Sequence, residues 1–155
     1  MKTILFVCTG NTCRSSMAQA LLQKLLREKG IEDIEVQSAG LAAIEGDKAS
    51  WQAVQVMKNR GIDLTQHRAK RINPSLINQA DLILTMTSRH KAYLIGMYPE
   101  AAHKIHVLKE YAEGGQLSPE SAQIPDPFGQ PVEVYEECAL QLEESLNKLV
   151  EKFVE

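Results

Sequence analysis

Leu5-Phe6-Val7-Cys8-Thr9-Gly10-Asn11-Thr12-Cys13-Arg14-Ser15-Ser16-Met17 begins as an apolar run, stops at a cysteine, and reaches an arginine after five intervening residues. The short continuous apolar segment Lys2–Val7 predicts a buried strand. From Ser15 or Ser16, the spacing of Met17, Ala18, Leu21, Leu22, Leu25 and Leu26 predicts a helix running to Lys29, with Gly30 as its stop. Cys8 and Arg14 therefore bracket a turn between a strand and a helix N-terminus. In such a turn backbone N–H groups converge on one concavity, and the helix dipole adds partial positive charge. A loop of this kind binds a tetrahedral oxyanion, and a cysteine on its floor can attack one.

Further along, Ile34–Ser38, Asp81–Met86 and Ile105–Leu108 read as strands. Lys48–Arg60, a short segment opened by Pro74, Ser88–Met97 and Val134–Val154 read as helices, and Trp51, Val54 and Met57 as helix core. The loop Glu113–Pro131 holds four of the six prolines. Alternating strands and helices imply an α/β fold: a doubly wound, four-stranded parallel sheet with helices on both faces and a phosphate-binding loop after the first strand. Ligands of such sheets sit at the carboxyl ends of the strands, near a switch in strand order, which is where Cys8 lies.

The chain has 155 residues, 44% of them hydrophobic and 24% charged, so one domain spanning residues 1–155 is expected, with a substantial core. A net charge of -3 and no basic cluster beyond Arg68-Ala69-Lys70-Arg71 argue against nucleic-acid and membrane-surface binding. The apolar run before Cys8 is too short for a signal-peptide core, so a cytoplasmic protein is expected. Three cysteines, an odd number, suit reactive thiols better than a disulfide framework.

A thiol in water is mostly protonated at neutral pH, but a helix N-terminus, the Arg14 cation and surrounding amides all favour its thiolate. Ser15 is placed to donate a hydrogen bond to the sulfur. Gly10 lets oxygens approach closely, and Asn11 tolerates positive φ while its amide braces the loop from behind. Arg14 offers a planar fork for two oxygens of a phosphoryl group. Asp126, in the late loop, can give a proton to the leaving group and later activate water. Thr9, Gly10, Asn11, Thr12, Cys13, Ser15 and Phe128 complete the expected substrate-binding set. No metal ligand cluster with zinc spacing is present in the sequence, and no metal or organic cofactor is required by this chemistry.

Val7-Cys8-Thr9-Gly10-Asn11-Thr12-Cys13-Arg14-Ser15, with Asp126-Pro127 in the late loop, resembles the low-molecular-weight protein tyrosine phosphatase family. Ser38-Ala39-Gly40, Gly61-Ile62-Asp63, His67-Arg68 and Ala80-Asp81-Leu82-Ile83-Leu84-Thr85-Met86 match its pattern in order, so the resemblance covers the whole chain. It implies Cys8 as nucleophile, Arg14 as phosphate ligand, Ser15 as the residue lowering the thiol pKa, and Asp126 as general acid. It also implies a hydrogen-bonded brace of Asn11, Ser38 and His67 beneath the loop.

Thr12, Asp126-Pro127-Phe128-Gly129 and His106-Val107-Leu108-Lys109-Glu110-Tyr111 resemble the bacterial protein-arginine phosphatase branch of that family. The expected partners are then arginine-phosphorylated proteins as substrates of a monomer, with phosphotyrosine as the alternative. A guanidinium entering the pocket needs hydrogen-bond acceptors; the Thr12 hydroxyl and the Asp126 carboxyl supply them, and Phe128 supplies a wall.

Cys13 reads either as a packing residue or as a resolving thiol for an oxidised Cys8, which would make the enzyme redox-sensitive. Cys138 reads as inert, the acidic run Glu133–Glu144 as a solvated helix face, and His90, His103 and His106 as surface or satisfied residues. An arsenate reductase on a similar fold would need further cysteines in Ile83–Tyr98, which has none. A non-catalytic phosphopeptide binder would be expected to lack Cys8 or Asp126, and both are present.

Overall fold

The structure, a computed structural model, describes residues 2–153. Four parallel strands, β1 (Lys2–Cys8), β2 (Ile34–Gly40), β3 (Leu82–Thr85) and β4 (Ile105–Val107), lie in the order β2-β1-β3-β4. Alternation along β1 feeds two cores. Ile4, Phe6 and Cys8 face helices α1 (Arg14–Glu28), α2 (Trp51–Lys58), α5 (Leu108–Glu113) and α6 (Val132–Glu151). Leu5 and Val7 face the other layer, where α3 (Pro74–Gln79) and α4 (Ser88–Met97) bring Leu76, Ile77 and Leu94. A central strand buried on both faces has no polar side, hence its unbroken apolar run. The chain leaves β1 towards β2 and returns on the opposite side as β3, so the crevice beyond the ends of β1 and β3 is the switch point.

The expected architecture is present, and the differences are local. β2 continues two residues past Ser38, because Cys8 pairs with Gly40 in the sheet register. β4 ends at Val107, and Leu108, expected as the last strand residue, instead opens α5, a helix the sequence pattern does not mark. α2 is shorter than expected because Ser50 caps it, accepting a hydrogen bond from Ala53 N–H at 3.3 Å. Neither Ser15 nor Ser16 caps α1; Cys13 occupies that position and both serines turn to other partners. The expected end of the last helix at Val154 lies outside the described residues.

Two packing expectations are corrected. Trp51 is not core: it is 68% exposed. The buried stripe of α2 is Ala53, Val56 and Met57, and a residue two positions before Ala53 lies about 200° around the helix from it. The acidic face of α6 is not wholly solvated either. Arg60 donates Nη1–H and Nη2–H to Glu136 at 2.7 and 2.5 Å, and Nε–H to Glu143 at 3.0 Å. This fork fastens the turn after α2 to α6, and the Arg60 hydrogen bonds hold the Glu136 carboxyl below its ordinary range. Among the described residues no helix is long and apolar enough to cross a membrane.

Candidate active site

β1 ends at Cys8 and α1 begins at Arg14; the loop between them is shaped by what holds its carbonyls. Leu41 N–H donates to Cys8 O and Ala42 N–H to Thr9 O, both at 2.9 Å. His67 Nε2 donates to Asn11 O at 2.7 Å, Ser50 N–H to Thr12 O at 3.0 Å, and Met17 N–H to Cys13 O at 3.0 Å. Among the described residues there is no cis peptide bond. In a trans peptide the N–H points opposite to the C=O. Outward carbonyls at Cys8, Thr9, Asn11, Thr12 and Cys13 therefore turn the amides of the residues that follow them inward, the arrangement an oxyanion needs.

Asn11 is the pivot. It is fully buried, and among the described residues it is the only non-glycine with positive φ, at 59°. Its Oδ1 accepts from Lys70 N–H at 2.9 Å, which fixes the amide so that Nδ2 donates to Ser15 Oγ at 2.8 Å. With a lone pair of Ser15 so occupied, its hydroxyl hydrogen is left for Cys8 Sγ, also 2.8 Å away. The expected serine–thiol contact is thus present, with the Ser15 hydroxyl held against the sulfur from behind. The brace differs from expectation in one member: His67 holds Asn11, but Ser38 does not. Ser38 donates to Gln19 Oε1 at 2.5 Å, and that glutamine donates on to Val36 O, so Ser38 ties α1 to β2.

Gly40 lies directly under the turn. A Cβ there would stand 2.5 Å from Thr9 O and 2.9 Å from Asn11 N, both backbone atoms that cannot swing away. Gly40→Ala is expected to destabilise the fold by about 1–3 kcal/mol, the usual cost of overpacking, and to lower phosphate affinity with it. Urea denaturation and phosphate inhibition read both effects; an alanine variant as stable as wild type would show that the loop yields freely.

Arg14 is 4% exposed. Its Nη1 donates to Ile124 O at 3.0 Å, and Nη2 lies 3.6 Å from Asp126 Oδ2. Its Nε is buried with no partner among the described residues, a donor held ready for an acceptor from outside. Ile124 also donates its N–H to Met86 O at 2.9 Å, so the late loop is pinned two residues before Asp126. Asp126 is half-exposed, and its Oδ1 accepts from Phe128 N–H at 3.0 Å. A pocket of about 230 Å³ is lined by Cys8, Thr9, Gly10, Thr12, Cys13, Arg14, Asp126 and Phe128. Of the expected set, Asn11 and Ser15 stand behind it as supports.

The remaining cysteines are held differently. Cys13 is buried, with Sγ 3.2 Å from Tyr135 Oη and its S–H donating to Ser50 Oγ at 3.7 Å. Burial, followed by the Cys13 contact, pushes the Tyr135 phenol up. Burial likewise pushes the Cys138 thiol up to about 12, in keeping with an inert residue. His90 had no sequence signal marking it out, since its partner lies 81 positions away: Nε2 is 3.0 Å from Thr9 Oγ1. Burial and then the Arg14 cation push His90 down to about 4, against the opposing pull of Asp126.

Residues 3–155 match the family described as Low molecular weight phosphotyrosine protein phosphatase. The chain belongs to that family. A protein-arginine-phosphatase of Geobacillus stearothermophilus is 43% identical over 149 residues, covering 96% of this chain and 94% of the relative. One from Bacillus subtilis is 36% identical over 149 residues, covering 96% and 95%. A solved structure of the YwlE arginine phosphatase, a mutant with a phosphorylated active-site serine, superposes with a TM-score of 0.90 at 35% identity, covering 97% of this chain and 94% of that one. As a low-molecular-weight phosphatase the chain is a hydrolase, and its four-stranded sheet is the architecture shared with those structures.

Proposed function

We propose that this phosphatase hydrolyses phosphoarginine in proteins through a phosphocysteine intermediate on Cys8. Cys8 Sγ attacks phosphorus in line with the departing guanidine nitrogen; the P–S bond forms as the P–N bond breaks. Inward amides and the Arg14 fork take the charge on the phosphoryl oxygens, and the protonated Asp126 carboxyl gives its proton to the leaving nitrogen. Water then attacks the phosphocysteine, Asp126 takes the proton of that water, and phosphate departs with the sulfur restored as thiolate. The half-exposed position of Asp126 at the pocket mouth, 3.6 Å from Arg14, suits both proton transfers.

The observation that carries the substrate choice is Thr12 lining the same pocket as Asp126 and Phe128. A phosphoguanidine brings several N–H donors, and a pocket without acceptors would leave them unpaired at a large cost. The two relatives named protein-arginine-phosphatase support the same choice. Phosphotyrosine is the second reading, favoured by the family description. The test compares kcat/KM on matched phosphoarginine and phosphotyrosine peptides for wild type and Thr12→Ile. Wild type is expected to prefer phosphoarginine, and the variant to lose that preference by about tenfold or more, one unpaired polar group being worth about 1–3 kcal/mol. A wild type that prefers phosphotyrosine tenfold would overturn the assignment.

A further inference from the structure

The crevice at the switch point has two walls, and only the one after β1 figures in the chemistry above. The other is the start of α4. Thr87 caps that helix, its Oγ1 accepting from His90 N–H at 3.1 Å, and Thr85 Oγ1 donates to Thr87 O at 2.9 Å, so the strand-to-helix corner is fixed. It delivers His90, only 7% exposed, against Thr9 Oγ1 at 3.0 Å. Thr9 is exposed and lines the pocket.

We propose that His90 is a positioning residue for phosphate: its Nε2–H occupies a lone pair of the Thr9 hydroxyl, so that the hydroxyl hydrogen is directed to an oxygen of the bound phosphoryl group. This rests on the loop being a phosphate cradle. His90 Nδ1 is buried and has no partner among the described residues. Burial and the Arg14 cation keep the ring neutral near neutral pH, so it carries one hydrogen only. A buried N–H without an acceptor costs more than a bare ring nitrogen, which places that hydrogen on Nε2, where Thr9 can accept it. A hydroxyl has a single hydrogen; with His90 donating, the hydrogen of Thr9 has no described protein acceptor. An unprotonated phosphoryl oxygen can only accept.

A double-mutant cycle tests the coupling. The inhibition constant of inorganic phosphate, measured against p-nitrophenyl phosphate turnover, is compared among wild type, Thr9→Val, His90→Leu and the double variant. Each single change is expected to raise it about tenfold, the size of one hydrogen bond to a charged group, and the pair no further than either alone. His90→Gln, which retains a side-chain N–H, is expected to stay near wild type. Fully additive losses, or no loss in His90→Leu, would overturn the proposal. Nitrogen NMR of the wild-type ring provides a readout that does not depend on any variant folding: hydrogen on Nε2 supports the assignment and hydrogen on Nδ1 refutes it. Wild type that fails to bind phosphate would bring down the cradle itself; wild type that binds it with an additive cycle sinks the role of His90 alone.

Discussion

Cys8→Ser is expected to lower kcat by about five orders of magnitude, the scale on which removing a nucleophile acts, while leaving phosphate binding within a few-fold of wild type. The two halves of this result have different physical origins. In the proposed mechanism binding resides in the amides and in Arg14, which the substitution does not touch. Turnover, on the same proposal, resides in a sulfur that Ser15 faces at 2.8 Å, and a hydroxyl in its place is a much weaker nucleophile near neutral pH. Retained phosphate inhibition alongside lost turnover of p-nitrophenyl phosphate is the expected pattern. Residual turnover within a hundredfold of wild type would mean that another group attacks phosphorus.

Arg14→Lys is expected to cost about a thousandfold in kcat/KM despite keeping the charge. The guanidinium spans Ile124 O and the Asp126 carboxylate with its two terminal nitrogens and still has Nε in reserve. An ammonium is a point charge and cannot serve those places at once, so the charge on the phosphoryl oxygens meets fewer oriented donors. The loss should fall mainly on kcat, because charge on the oxygens is redistributed in the transition state. A lysine variant within tenfold of wild type would show that Arg14 acts through charge alone.

How much of this is visible in the chain alone depends on sequence distance. The strand, turn and helix around Cys8 are contiguous, and each part has its own local signal: an apolar run, a glycine and an asparagine in the turn, a helical stripe. The supports of that turn are scattered. Leu41, Ala42, Ser50 and Lys70 act through backbone N–H groups that every residue but proline carries, so no side chain announces them. His90 is invisible for the same reason as Ser38 is misassigned, since a hydrogen-bond partner is chosen by the fold and not by residue type. Trp51 shows the opposite failure. Its residue type says core, but half a turn of helix sets it opposite the buried stripe.

The outer bonds of the cradle carry a lesson about transplantation. The donors that hold its carbonyls come from Leu41, Ala42, Ser50 and His67 as well as from α1. A synthetic peptide copying residues 8–16, or the same letters spliced after a strand in another scaffold, would lack them and should be an indifferent ligand for phosphate. What is inherited as a signature of nine letters works as a property of a whole sheet edge, and a scan for those letters finds the hand without asking whether there is an arm.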